Sequence, residues 1–494
     1  MQKVNLLIIF WVGFFLLTIQ SKSLSQERIG LSMDNYSGIW GAQINPALMT
    51  QNKVFLDVNI IGSGFHFSNN FAYILKNSNT FFGPFPIDTA TPTYGDNYYN
   101  GYYTYYRNKY DKWMFLDSKI MGPSIMFQDN KHSFGFSTSV RTAISAVNFP
   151  WEIPVFLYEN LGYEPLHNQR FNDKDFGFTE LTWEEMAFSY AYELQKSSDH
   201  SISFGITAKL LFGISGLYNT NDIAEYTVLN EDSIYFHLLN SDIGYSITEP
   251  VEPDFALLNP FKSNGFGVGF DMGFVYVKKR NNKIYSSQNQ KACAAPYQDY
   301  FYRIGFSLID IGSIHFSKFS GLHSYHTENA PLNINDMPEF ESMTIDEYMH
   351  YLSKELTGNY DSSYVKDNIT IGLPGAANFQ FDWHINNPFY VSLLMVHPLH
   401  LRLKDLRRPA QIAVTPRYET QSFGISLPVS LINYKVFRTG VSLRFYNFVV
   451  GTESLRTLLD MRNLDNIDVY FGIKINLKKG RCDNRLKNAC SFSW

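Results

Sequence analysis

A chain of 494 residues with 42 Phe and 33 Tyr against 20 Pro favours strands over helices. Its formal charge of −5, with no Lys/Arg cluster, argues against a nucleic-acid partner. Beyond the N-terminus no apolar run reaches the ~20 residues that a spanning helix needs, which excludes a helical membrane protein and leaves a large secreted β protein or a transmembrane barrel.

The chain begins with Lys3, an apolar run over residues 6–19, and small residues at Ser23 and Ser25. These are the three parts of a secretory signal peptide, so residues 1–25 are expected to be removed. That cleavage takes away Lys3 and Lys22 and moves the charge from −5 to about −7. No cysteine follows the cleavage point, which argues against a lipid anchor.

Residues 26–52 are not strand-like. Pro46 lacks a backbone donor and restricts Asn45 to extended or turn geometry, so a bent, non-helical, plug-like segment is expected there.

Alternation begins at Val54. Val54, Leu56, Val58 and Ile60 share one face, with Asp57, Asn59 and Ser63 on the other. A long loop over residues 69–118 follows, rich in tyrosine from Tyr94 to Tyr110. A tight turn at residues 129–131 joins strands over 124–128 and 133–141, the second placing Phe134, Phe136 and Val140 outward and Arg141 inward. After another long loop to about residue 184, strands over 186–194 and 202–212 pair across residues 197–199. Glu193 and Lys209 point inward there.

Strands over 266–277 and 302–308 put Asp271 and Arg303 inward. In that register Asp310 lands on the outer face, so a bulge or the membrane edge is expected near residues 309–312. The loop beyond holds one helix, with Thr344 and Glu347 as its capping box, Ile345, Met349, Leu352 and Leu356 on one face, and Gly358 at its end. Strand pairs then follow quickly, at 379–385 with 389–397, at 411–418 with 423–431, and at 441–445 with 448–451.

The closing strand, residues 467–477, shows the pattern most clearly. Ile467, Val469, Phe471, Ile473, Ile475 and Leu477 form an oily face, and Asp468, Tyr470, Gly472, Lys474 and Asn476 a polar one. Short turns alternating with long loops, and about fourteen such strands, describe an all-β transmembrane antiparallel barrel with lipid outside and a polar lumen. The barrel is expected over residues 53–477, with a periplasmic tail over 478–494.

The inward set Asp57, Arg141, Glu193, Lys209, Asp271, Arg303, Asp382, Arg417, Arg444, Asp468 and Lys474 carries both signs. It can form a cross-barrel ion-pair network or line a polar pore, and the network is the stronger reading because buried charges need partners. Cys482 and Cys490 could close a small loop or remain two thiols, and Cys293 is left over. No C-x-x-C spacing exists. His384, His397 and His400 accompany no nucleophile motif, so neither catalytic residues, a metal set nor a cofactor is assigned.

The order of several short stretches resembles the long-chain fatty-acid transporter class of outer-membrane barrels, and more closely a family of Bacteroidota outer-membrane proteins of unknown function. These stretches are Ile44-Asn45-Pro46-Ala47, residues 267–273, 307–312, 439–441, 450–452 and 470–472. The resemblance implies an N-terminal hatch within the barrel, with Asn45, Pro46 and Ala47 in the lumen. No ligand pocket carries over residue by residue. The expected function is a bacterial outer-membrane channel or transporter for small molecules, hydrophobic ones among them. The alternative is a structural or interaction barrel serving a secretion, motility or envelope-assembly complex. Expected partners are outer-membrane lipid together with either a small hydrophobic ligand or an envelope protein docking on the tyrosine-rich loop or residues 278–298.

Overall fold

A computed structural model describes residues 28–74, 103–106, 108–159, 161–197, 199–248, 263–280, 299–338, 343–399, 402–459 and 465–478. The expected signal peptide, all three cysteines, His400, Tyr94 to Tyr102 and most of residues 278–298 lie outside these.

The wall is a closed antiparallel barrel of fourteen strands. Its first seven run Val54–Asn69, Lys112–Met121 continued by Ser124–Asp129, His132–Phe149, Arg170–Lys196, His200–Asn230, Gly265–Lys279 and Tyr300–Phe316. The other seven are Ile369–Gly372 continued by Ala376–Asn386, Phe389–Pro398, Gln411–Glu419, Phe423–Ser426 continued by Val429–Ile432, Val436–Thr439 continued by Val441–Phe445, Phe448–Thr452 and Asn466–Lys478. Closure comes from the first strand, which pairs with the last on one side and the second on the other, so no edge remains.

Strict alternation builds the wall's two faces. In Gly265–Lys279 the odd positions are buried and Phe266, Val268, Phe270, Met272 and Phe274 are exposed. Phe134, Phe188, Phe204, Phe306, Trp383, Phe445 and Phe448 continue that outward apolar surface around the barrel. A belt this size, left bare by every described element, is what a lipid-facing surface requires. Among the described residues no helix is long and apolar enough to cross a membrane.

Arg170–Lys196 has 27 residues and His200–Asn230 has 31, far more than the ~10 that cross a bilayer. Their outer halves pair with each other beyond the barrel, and that of His200–Asn230 also pairs with Ser233–Ser246, which pairs in turn with Ser320–Asn333, making a ribbon beyond the wall. The expected loop up to residue 184 is therefore strand through residue 149 and again from residue 170. Alternation of oil and polarity ends where lipid ends, so these halves give no barrel signal although the ladder continues. For the same reason the strand Lys112–Met121 starts inside the expected 69–118 loop. The helix Ile345–Thr357 has the expected capping box and a left-handed Gly358 at its end, and packs on the ribbon.

Two other expectations fail. Residues 28–52 contain three short helical turns, Ile29–Ser32, Ile39–Ala42 and the 3₁₀ turn Pro46–Gln51, rather than a non-helical plug. Pro46 stands at the start of its turn, where the missing N–H costs nothing, and the Asn45 side chain accepts from Ala47 N. Val54 is fully buried instead of outward, because the register shifts between Val54 and Leu56 and turns it onto Tyr36, Ile39 and Trp40.

Candidate functional site: the charged lumen and its N-terminal segment

Residues 28–53 lie within the wall and bond to inward side chains around its circumference. Asn45 is completely buried, and its Nδ2 donates to Gln380 Oε1 at 2.8 Å and to the Phe274 carbonyl at 3.2 Å. The Ile44 carbonyl accepts from Ser307 Oγ at 2.5 Å and Asn378 Nδ2 at 3.0 Å. Thr50 Oγ1 bonds Ser203 Oγ at 2.8 Å. Glycine makes this fit possible, since a Cβ on Gly205 would stand 2.4 Å from Ala47 N and 2.6 Å from the Pro46 carbonyl carbon. Pro46 and Ala47 are buried against that glycine.

Four expected charges hold one side of the segment. Arg444 Nε reaches Asp34 Oδ2 at 3.0 Å. Arg303 Nη2 donates to the Met33 carbonyl at 2.6 Å and pairs with Asp382 Oδ2 at 2.8 Å. Arg417 Nη2 meets Asp382 Oδ1 at 2.9 Å, and its Nε lies 2.9 Å from Glu419. Glu419 then accepts from Asn35 Nδ2 at 2.7 Å. From the last strand Lys474 Nζ donates to the carbonyls of Tyr36 at 2.6 Å and Ser37 at 2.9 Å. Asp57 lies 3.7 Å from Lys474 and accepts from Ile39 N at 2.8 Å. Asp468 accepts from Glu453 N at 2.9 Å, and Glu453 accepts from Ile29 N at 2.6 Å. Glu193 stands apart from these, 3.7 Å from Lys279 near a turn at one end of the barrel.

A second network centres on Asp310. Instead of facing outward it takes a left-handed backbone (φ 54°), the register with Gly265–Lys279 shifts between Phe270 and Met272, and the carboxylate turns into the lumen. There it meets Lys209 Nζ at 2.6 Å, Arg141 Nη1 at 3.0 Å and Arg408 Nη2 at 2.5 Å. Lys209 also reaches Asp271 Oδ1 at 2.8 Å. The expected bulge is present, and charge favours it, because it adds Asp310 to Asp271, Glu185 and Asp117 as carboxylates facing the buried cations Lys209, Arg141 and Arg408.

A cavity lies between this network and the N-terminal segment. Arg28, Lys119, Arg141, Lys209, Arg407 and Arg408 line it against only Asp117 and Asp310, and Trp40, Phe115, Leu116, Ile309 and Val396 supply apolar walls. The lining is thus amphipathic and richer in cations than anions.

Asp34, Glu419, Arg408, Arg28 and Asp117 escaped the sequence reading. Glu419 follows Arg417 by two and was legible by alternation. Asp117 fell in an assumed loop, and Arg28 and Asp34 belong to a segment without period. His384 and His397 do not gather, since buried His384 donates from Nδ1 to the Tyr300 carbonyl while exposed His397 bonds Tyr434.

The structure is similar to a mutant monoaromatic hydrocarbon channel, TodX (9% identity, 89% of this chain and 95% of that chain, TM-score 0.40). It is also similar to the Ralstonia pickettii toluene transporter TbuX (10%, 90% and 94%, 0.39) and to a Pseudomonas aeruginosa FadL homologue (12%, 90% and 94%, 0.37). No curated protein matches. A family model does match, over residues 46–453, and the chain belongs to that family of unknown function, DUF5723.

Proposed function

We propose that the protein is a bacterial outer-membrane channel that passes small amphipathic or hydrophobic molecules around a movable hatch formed by residues 28–53. The observation that carries this reading is the cavity beside the hatch, where six cations and two aspartates share the lining with aromatic and aliphatic walls. A purely structural barrel has no need of such a space. A lining of that kind suits a molecule with an apolar body and a polar or anionic end, because the apolar wall repays burial and the surplus cations repay desolvation of the head. The hatch is held by hydrogen bonds and ion pairs to the wall, with little covalent constraint, so it can shift without unfolding the barrel.

Planar-bilayer recording tests the reading. The mature protein is expected to show rare, brief openings, and a variant lacking residues 28–45 a steady conductance. Equal conductance from the two would sink the channel. Native mass spectrometry in mild detergent is the companion measurement, where a recurrent bound small molecule supports transport, and a recurrent protein mass without conductance supports a docking role in an envelope complex.

A further inference from the structure

On the ribbon outside the barrel, His323, Asp346 and His350 converge. Each offers a ligand atom, and the three atoms lie within 4.8 Å of one another. His323 sits on the strand Ser320–Asn333, while Asp346 and His350 are four apart on the helix Ile345–Thr357 and so share its face.

The tautomer of His350 is set from outside the cluster. His350 Nδ1 bonds the Tyr360 carbonyl at 2.9 Å, which makes it the protonated nitrogen and leaves Nε2 with a lone pair, 3.9 Å from Asp346 Oδ2. Asp361 lies 3.2 Å from the same Nδ1 and reinforces that assignment. His323 Nδ1 is engaged by Ser363 Oγ at 2.9 Å. Its Nε2 is buried without a hydrogen-bond partner among the described residues, in a residue of zero exposure. A buried nitrogen left in that state is costly unless something binds it. Tyr245 OH donates to Asp346 Oδ1, holding the carboxylate and leaving Oδ2 turned toward the histidines. Ligating histidines anchored through their other nitrogen, and a ligating carboxylate held by a hydroxyl, are the outer-shell pattern of metal sites.

We propose that His323 Nε2, His350 Nε2 and Asp346 Oδ2 bind a divalent transition-metal ion of the zinc class, clamping the outer helix to the ribbon. Two imidazoles and one carboxylate suit zinc, with water in the fourth position. Ligands about 2.0–2.1 Å from zinc stand about 3.4 Å apart, so the trio closes by about an ångström or more on binding. Small rotations of the Asp346 and His350 side chains at the helix start supply that movement. The site is independent of the hatch and of any transport.

The test is zinc titration calorimetry on the full mature, untagged protein in detergent, with cobalt absorption reporting geometry. The expected result is one zinc per chain and a tetrahedral cobalt spectrum. His350→Gln and Asp346→Asn, both at the protein surface, should each weaken zinc by at least about 100-fold while leaving the heat-modifiable gel mobility of the folded barrel unchanged. His323→Gln should do the same if it folds, and the two surface variants decide the matter if it does not. No stoichiometric zinc, or affinity unchanged in folded surface variants, overturns the proposal.

Discussion

Arg444 Nε donates to Asp34 Oδ2 across 3.0 Å, joining residues 410 apart and tying the N-terminal segment to the twelfth strand. The guanidinium also donates to the Thr420 carbonyl at 2.9 Å and covers the ring of Tyr36 at 4.4 Å. Asp34 is its only carboxylate partner among the described ion pairs. Asp34→Ala therefore leaves a buried cation uncompensated, which costs on the order of 3–5 kcal/mol. Denaturant unfolding in detergent should show a lowered midpoint, and bilayer recording more frequent opening. A variant with wild-type behaviour in both would remove this pair from the account of how the hatch is held.

The glycine contacts make a sharper test of the same segment. Gly205→Ala places a methyl against the backbone of Pro46 and Ala47, where no side-chain rotation can relieve it. The wall strand is held by ladders on both sides, so the segment must yield. Amide exchange over residues 39–52 is expected to accelerate at least tenfold in the variant, with exchange in the wall strands unchanged. Uniform acceleration would mean that the barrel itself had loosened.

How far the sequence reached follows from where lipid lies. Strands such as Gly265–Lys279 and Asn466–Lys478 were legible because lipid imposes an oily face and leaves the other polar, a pattern no soluble loop maintains. Lys474, Asp382 and Arg417 were legible for the same reason. Their partners were not, since alternation gives the face of a residue and says nothing about which of thirteen other strands it meets. Asp310 shows the limit from the other side. Its register placed it in lipid, and only the unlikelihood of that position hinted at a bulge. Asp346 and His350 were legible as an i, i+4 pair on the expected helix, but the ribbon strands beyond the membrane carry no binary pattern, so nothing linked that pair to His323.

Cavity charge sets a third expectation. In a barrel lacking residues 28–45, and with them Arg28, Asp310→Asn removes one of two carboxylates facing the five cations that remain. The reversal potential in a salt gradient should move toward that of the anion. Arg408→Ala, which removes a cation from the same pair, should move it the opposite way. Shifts of equal sign in the two variants would show that permeating ions avoid this cavity.

The outer region should respond to pH through Glu152 and Asp173. Glu152 begins the helix Glu152–Tyr158, and Asp173 lies on the outer half of Arg170–Lys196, both well beyond the apolar belt. Burial, then a hydrogen bond from one carboxyl to the other, pushes Glu152 up to about 8, and burial raises Asp173 as well. The folded pair keeps a proton that the unfolded chain releases above about 4.3. Its contribution to stability is therefore complete below that pH and is lost as pH rises through about 8. Amide exchange over residues 150–175, corrected for the intrinsic rate, should accelerate between pH 5 and pH 8, and Glu152→Gln should flatten the dependence by keeping a donor at every pH. A Glu152→Gln variant that retains the wild-type pH profile would assign the response to a different group.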